Sequence, residues 1–380
     1  MGFPSRFVHV EEARARWGDR ALRLGAMLSE GDPLADAAVL ALRAVPDGQR
    51  MVDRALVGGI ASVPEAPEAL RALFAQLDTV PFWVDLPRVH RGARAMLRSG
   101  HLGGIVLGAY SLLAGYCSPG GNKPLTFSGR LASDAARRLA ETSRFVQAVS
   151  APGGVARDGD GFAALVKVRL MHASVRVGLL RSPKWNSAAW GVPINQYDMS
   201  GTALLFSFIV LDGLDKLGFA TTPDERADFL HLWRYAAYVL GVCDELRCAT
   251  EDECRTLWEM LESTQAPPDD DARMLANALL DSGLATARTP AERRRAETVR
   301  TAGHVFARHL LGDDLADALG IRRSPAGAAL RWLQRLNART GGAVGRGARL
   351  SYDSSERGER YWQGIVALGL RGTPATFALP

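Results

Sequence analysis

Residues 167–180, KVRLMHASVRVGLL, decide the fold. Leu165, Val168, Val175 and Leu179 recur around His172 at three- and four-residue spacing. The segment therefore reads as a helix whose imidazole shares the apolar stripe. The same period recurs outward in both directions. Upstream it runs through PLADAAVLALRAV, PEALRALFAQLDTV, PRVHRGARAMLRSG and SDAARRLAETSRFVQAV. Downstream it runs through MSGTALLFSFIVLDGLDKLG, TPDERADFLHLWRYAAYVLGV, TEDECRTLWEMLES, DDDARMLANALLDSG, TPAERRRAETVRTAGHVFARHLLG and SPAGAALRWLQRLNART. Thr222-Pro223-Asp224-Glu225 and Thr289-Pro290-Ala291-Glu292 each set a Thr cap, a Pro and an acid in the order that starts a helix. Gly218, Gly241, Gly283 and Gly312 read as helix ends. No run alternates apolar and polar residues, no hairpin signal occurs and no repeat is seen. The expected class is all-α, a single multi-helix globular domain over residues 1–380. Residues 246–380 are expected to form a C-terminal helical extension of that domain.

The composition, 47% hydrophobic and 23% charged, is that of a folded globular chain long enough to bury a large core without staples. The net charge of +5 comes from Arg spread along helices. The densest run, Arg293-Arg294-Arg295, is broken up by acids and reads as a solvated face, so no nucleic-acid partner is expected. Cys117, Cys243, Cys248 and Cys254 lack the close pairing of a structural zinc site. MGFPSRFVHVEEARARWGDR has no apolar core of a signal peptide, which leads to the expectation of a cytoplasmic protein with reduced thiols. The charge-free stretch from Leu102 to Asn122 is diluted by Gly and Ser, and like Met199–Leu211 it reads as a buried core helix, not a membrane span. Residues 118–129, 150–161 and 182–198 read as loops. The last, long and carrying two Trp, reads as a binding or lid element.

Candidate chemistry starts at His172. A lone His on an apolar stripe is either a core residue or a single ligand. No His-x3-His or His-Glu-x-x-His spacing supports a multi-ligand metal site, whereas a heme needs only one axial ligand and leaves the other face open to oxygen. Arg169 and Arg176, on the same helix, are candidates to pair heme propionates, or else exposed arginines. One helix earlier, Arg138, Glu141 and Thr142 lie within about one turn. Arg137 and Glu141 suit an i,i+4 surface ion pair, but Thr142 lies in line with Phe145 and Val149, so the cluster straddles the edge of the buried face. Trp190, Asn195, Gln196, Trp233, Arg234 and Tyr235 are explained by capping and packing, with Asp198 a candidate cap for the helix after it.

The ordered series RRLAETSRF, VRLMHASVRVGLL, WGVPINQYDMSGTALLFSF and LWRYAAYVLGV resembles the catalytic domain of the latex-clearing proteins, bacterial rubber oxygenases, a domain also found in the fungal membrane-bound oxygenase of mycophenolic acid biosynthesis. The resemblance covers roughly residues 85 to 245. It implies an all-α domain enclosing heme b that attacks carbon–carbon double bonds of isoprenoid chains with O2. Carried over by position, it puts the iron ligand on His172, the distal arginine on Arg138 and the distal threonine on Thr142. Some family members carry a lysine directly before that threonine. Here Glu141 stands there, a poor cap for iron but a candidate distal base. Near the position of a loop glutamate viewed as a base in the family, this chain has Asn122.

The resemblance therefore implies a heme b-dependent oxygenase, acting with O2 on a hydrophobic, alkene-bearing, isoprenoid- or lipid-like small molecule. The substrate channel is expected among the helices around Leu102 and Met199. Exposed apolar helices would serve a homodimer as well as a channel. A heme-binding sensor or carrier shares His172 but needs no distal base. An all-α interaction protein with a core His172 needs no heme.

Overall fold

The computed structural model describes residues 2–127, 131–324, 358, 360–364 and 367. Those residues form α-helices and short 3-10 or π turns, with no strand among them and one isolated antiparallel bridge, Phe7 to Gln265. The all-α expectation holds. In chain order the helices are α1 (Val10–Trp17), α2 (Asp19–Ala26), α3 (Pro33–Arg43), α4 (Gly48–Gly58), α5 (Glu68–Asp78) and α6 (Leu86–Val106). Next come α7 (Leu112–Tyr116), α8 (Pro119–Thr126), α9 (Leu131–Val149), α10 (Asp160–Leu180), α11 (Ser187–Trp190), α12 (Gln196–Phe206) and α13 (Phe208–Lys216). The series ends with α14 (Pro223–Val239), α15 (Glu251–Ser263), α16 (Asp270–Leu280), α17 (Ser282–Thr286), α18 (Pro290–Leu311) and α19 (Asp313–Ala318). Most of SPAGAALRWLQRLNART lies outside the described residues.

The local start signals act as the sequence implies. Thr222 and Thr289 both close capping boxes, with Glu225 and Glu292 returning the bond to the cap backbone. Gly218, Gly241 and Gly312 adopt positive φ at helix ends. Gly283 does not, because α16 already ends at Leu280 and Gly283 lies inside α17. The loop expected over residues 118–129 is largely helix. Ser118 accepts from the Gly121 amide, and Pro119 occupies the first turn of α8, where a missing amide donor costs nothing. Asn195, not Asp198, caps α12 by accepting from the Asp198 amide.

Helix α10 lies against α3, α9 and α14, and α14 runs along α6. Helix α16 closes over α7, α8 and α9, and α15 packs on α12, so the helices after residue 245 complete the walls around α9. One continuous core runs from Phe7 through Phe74, Leu165 and Phe229 to Leu310. Helix α6 kinks at Gly100 (φ 48°, ψ −121°) and continues as a π turn over Leu107–Ser111 before α7. That turn lies inside the charge-free stretch, where Leu107, Tyr110 and Leu113 are buried. Gln196–Lys216 is long and apolar enough to cross a membrane, yet 67% of its apolar window is buried inside the protein, the position of a core helix.

Candidate functional site

The site rests on the seating of α10. Arg169 is almost wholly buried and donates to both Asp32 carboxylate oxygens (Nε to Oδ2 2.6 Å, Nη2 to Oδ1 3.0 Å), to Gln76 Oε1 (2.6 Å) and to the Val239 carbonyl (3.3 Å). Asp32 also caps α3 by accepting from the Ala35 amide at 3.2 Å. Gly241 (φ 85°) lets the backbone approach this pair, since a Cβ there would lie 2.2 Å from Asp32 Oδ2. One turn after His172, the buried Arg176 pairs with Asp36 (2.5 Å) and donates to the Pro193 (3.1 Å) and Ile194 (2.8 Å) carbonyls. Ile194 sits at φ 50°, a strained conformation for a β-branched residue. It is held between that contact and the Asn195 cap. Gln196 adds bonds to the Gly31 and Gly241 carbonyls and accepts from the Cys243 amide. The segment 182–198 is thus bonded into the body of the protein. The donors of Arg169 and Arg176, candidates for propionate binding, are committed to α3 and to backbone carbonyls, which makes these residues the clamps that orient α10.

His172 lies between those clamps along α10 and lines neither of the two cavities described below. The residue is half-buried, but its Nδ1 is closed off from solvent and has no hydrogen-bond partner. Burial, helped by the Arg176 guanidinium and opposed by Asp32, holds its pKa down to about 4. The imidazole is therefore neutral at pH 7, with a lone pair free to bind a metal. Of its stripe neighbours, Val168, Val175 and Leu179 are half-buried and Leu165 is fully buried, as are Ala173 and Val177 on the adjoining face. A partly open apolar stripe around an unpartnered, neutral imidazole suits a flat apolar group whose metal takes one protein ligand. It does not suit a bare divalent ion, and among the described residues no three His, Cys, Asp or Glu side chains converge.

Helix α9, which packs on α10, carries the other candidates. Arg138 and Thr142 line a small cavity of about 40 Å³ together with Tyr116, Leu139 and Leu275. Arg138 is exposed, and Thr142 is half-buried. Arg138 also lies near enough to Tyr116 to oppose the burial that pushes this phenol's pKa up. Glu141 accepts from Arg137 Nε at 3.0 Å, the i,i+4 pair that the spacing offers, and its side chain keeps 21% exposure. Arg138 and Thr142 are therefore brought together on one cavity wall, and Glu141 stands one residue away.

Beside this cavity is a larger one of about 180 Å³, walled by α7, α8, α12 and α15 and sharing Leu112 and Tyr116 with the first. Of the two segments expected to line a substrate channel, the one around Met199 contributes α12 to this wall and the stretch from Leu102 to Asn122 contributes α7 and the start of α8. Asn122 is buried in this wall, and its Nδ2 donates to the Tyr116 carbonyl at 2.7 Å. Two wall residues had no signal in the sequence that singled them out. Tyr116 closes an apolar run in which a phenol reads as core, and Gln265 sits in a connecting segment between two helices. Cys117, close by, is half-buried, and desolvation pushes its thiol pKa up to about 12, which disfavours the thiolate.

Comparison with known proteins bears on the same elements. Residues 87–346 match the family model described as ER-bound oxygenase mpaB/B'/Rubber oxygenase, catalytic domain, which extends past residue 245 to include α15, α16 and α18. A rubber oxygenase of Streptomyces sp. (strain K30) is 26% identical over 281 residues, 72% of this chain and 64% of that protein. The chain thus spans a little under two thirds of its relative's length. The structure of latex clearing protein LCP in the closed state is similar with a TM-score of 0.63 at 23% identity, over 90% of this chain and 91% of that one. At that identity the likeness bears on the fold.

Proposed function

The chain belongs to the family of mpaB/B'-type and rubber oxygenases, matching the model of their catalytic domain, and from that premise we propose that it is a heme b-dependent oxygenase. Its co-substrate is O2, and its substrate is an alkene-bearing, isoprenoid- or lipid-like small molecule. The single observation that carries this reading is the unpartnered, neutral His172 on a half-open apolar stripe of α10, next to the helix that carries Arg138 and Thr142.

His172 is the residue that would hold the iron. Heme b, when bound, supplies the activation of O2. The chain's own residues do the rest. Arg169 and Arg176 hold α10 through Asp32 and Asp36, so the imidazole is oriented before any ligand arrives. Arg138, on the wall of the smaller cavity, would supply a hydrogen-bond donor to oxygen. The Thr142 hydroxyl, one turn on the same wall, would hold oxygen or a water beside it. Glu141, paired with Arg137 one residue along from the cavity wall, would be the proton acceptor. The mainly apolar wall of the larger cavity would take the hydrocarbon part of the substrate.

The experiment is oxygen uptake by the hemin-loaded protein with a panel of isoprenoid alkenes, followed by mass analysis of products. Alkene-dependent uptake that falls in Glu141→Gln with heme content unchanged supports the reading. A heme-loaded protein that consumes no oxygen with any alkene is a carrier or sensor instead.

A further inference from the structure

Two of the four cysteines meet at the start of α15. Thr250 caps that helix by accepting from the Glu253 amide at 3.2 Å, and the Cys254 amide donates to the Thr250 carbonyl at 3.1 Å. The Ala249 amide donates to Glu253 Oε2 at 2.6 Å, which folds the residues before the cap back over the first turn. Cys248, two residues before the cap, therefore lies beside Cys254, the fourth residue of the helix, much as an apolar residue before a cap packs in a hydrophobic staple. The side chains are in contact, and the Cys254 thiol donates a hydrogen bond to the Cys248 sulfur. Among the described residues no third His, Cys, Asp or Glu converges on them, so the pair is a dithiol and not part of a metal cluster.

The two thiols are unequal. Cys254 is 3% exposed and belongs to the continuous core, whereas Cys248 is half-buried at its edge. The hydrogen bond from Cys254, helped by the Arg20 guanidinium and opposed by burial and by Glu253, lowers the Cys248 thiol pKa. The same bond, together with burial, raises that of Cys254. The other cysteines differ from this pair. Burial raises the thiol pKa of Cys117 and of Cys243, and Cys243 Sγ donates to Met27 Sδ at 3.9 Å. A thiolate, not a thiol, attacks an oxidant, and a thiol in contact with the product resolves it to a disulfide. Of the four, Cys248 alone combines partial exposure, a stabilised thiolate and a partner thiol.

We propose that Cys248 and Cys254 form a peroxide-oxidisable dithiol, a modification site in which Cys248 is the attacking sulfur and Cys254 the resolving one. The Cys248 thiolate attacks one oxygen of hydrogen peroxide. An S–O bond forms, the O–O bond breaks, and the leaving hydroxide takes up the proton that Cys248 had released, giving a sulfenic acid and one water. The Cys254 sulfur then displaces the sulfenic oxygen, which leaves with the Cys254 proton as a second water while the S–S bond forms. The pair is oxidised by two electrons in all, and the peroxide is reduced by two. The new bond ties the connection between α14 and α15 to the first turn of α15, the helix that brings Trp258 and Leu261 to the larger cavity. This site goes beyond the oxygenase reading, since its oxidation needs neither heme nor substrate.

The test is peptide mass analysis of the purified full chain after a small excess of hydrogen peroxide, alkylation of the remaining thiols in denaturant, and trypsin. Cleavage after Arg247 and Arg255 leaves both cysteines in one peptide, Cys248–Arg255. That peptide is expected to escape alkylation and to be lighter than its dithiol form by two hydrogens. Dithiothreitol before alkylation should restore the dithiol, and Cys117 and Cys243 should be alkylated throughout. In Cys254→Ser no bridge can form, and Cys248 should be trapped by dimedone as the sulfenic acid. In Cys248→Ser, dimedone should label Cys254 about tenfold more slowly than it labels Cys248 in the other variant. If either variant does not fold, the wild-type peptide alone decides. A peptide that stays a dithiol, oxidation of Cys117 or Cys243 ahead of it, bridges between chains in its place, or equal labelling of Cys248 and Cys254 in the two variants would each overturn the proposal.

Discussion

Replacing Asp32 with Ala tests how the site is held. Asp32 has two roles. Its carboxylate makes two bonds to Arg169, with side-chain exposures of 5% and 4% for the pair, and it caps α3 through the Ala35 amide. Removing one partner of a buried ion pair costs about 3–5 kcal/mol, because the other charge is stranded. Losing an Asp cap costs about 1 kcal/mol. The expected loss is roughly 4–6 kcal/mol, a large share of the roughly 5–15 kcal/mol that a folded chain has to lose. Gln76 and the Val239 carbonyl continue to bind Arg169 Nη1, which keeps the cost toward the lower end. The assay is urea unfolding of the heme-free protein at pH 7, followed by far-ultraviolet circular dichroism. Asp32→Leu combined with Arg169→Met, which removes both charges and keeps volume, should recover most of the loss, since an apolar pair often replaces a buried ion pair at no net cost. Hemin affinity should fall in Asp32→Ala and return in the double variant, because the pair seats the helix that carries His172. A cost below about 1.5 kcal/mol for Asp32→Ala, half the least that stranding a buried charge should cost, would refute the assignment of this pair as the clamp of α10.

Three further outcomes follow from the same geometry. The His172 pKa is held down to about 4 in the folded chain against an ordinary 6.5, so both states are neutral at pH 7 and the unfolded chain takes up a proton first as pH falls. The heme-free protein should therefore lose about 3 kcal/mol as pH falls from about 6.5 to about 4. Denaturant titrations across that window should show a shallower slope in His172→Phe, and an identical slope would contradict the buried neutral imidazole. Glu141→Gln should keep heme and lower turnover about 10²–10⁴-fold if it is the base; turnover within twofold of wild type would make it only the surface partner of Arg137. Arg138→Ala should lower kcat about 10²–10³-fold, and stopped-flow measurement of a mere rise in KM would instead place the guanidinium in substrate binding.

Much of this architecture was legible because it is local. Thr222 and Thr289 carry their capping boxes within four residues, and the spacing around His172 marks a helix without any knowledge of its neighbours. Arg138 and Thr142, four apart, share a helix face by the same arithmetic. The misreadings came where local signals conflict or where the partner is remote. Gly120, Gly121 and Pro124 read as breakers, but Ser118 and Pro119 start α8, and Pro124 is tolerated near the end of a short helix. Arg169 and Arg176 read as free guanidinium groups because Asp32 and Asp36 lie 137 and 140 residues away in the chain. Gln265 carried no signal at all. Only the packing of α15 against α12, which brings it to the cavity wall, singles it out.

The most direct test is the absorption spectrum of the purified protein reconstituted with hemin, recorded oxidised and after dithionite with carbon monoxide, for wild type and His172→Ala. The account predicts a Soret band with a histidine-type carbonyl spectrum in the wild type, no amine-capped state, and loss of most bound heme in the variant. A wild type that binds no hemin, or a variant that keeps full heme with an unchanged spectrum, would contradict it.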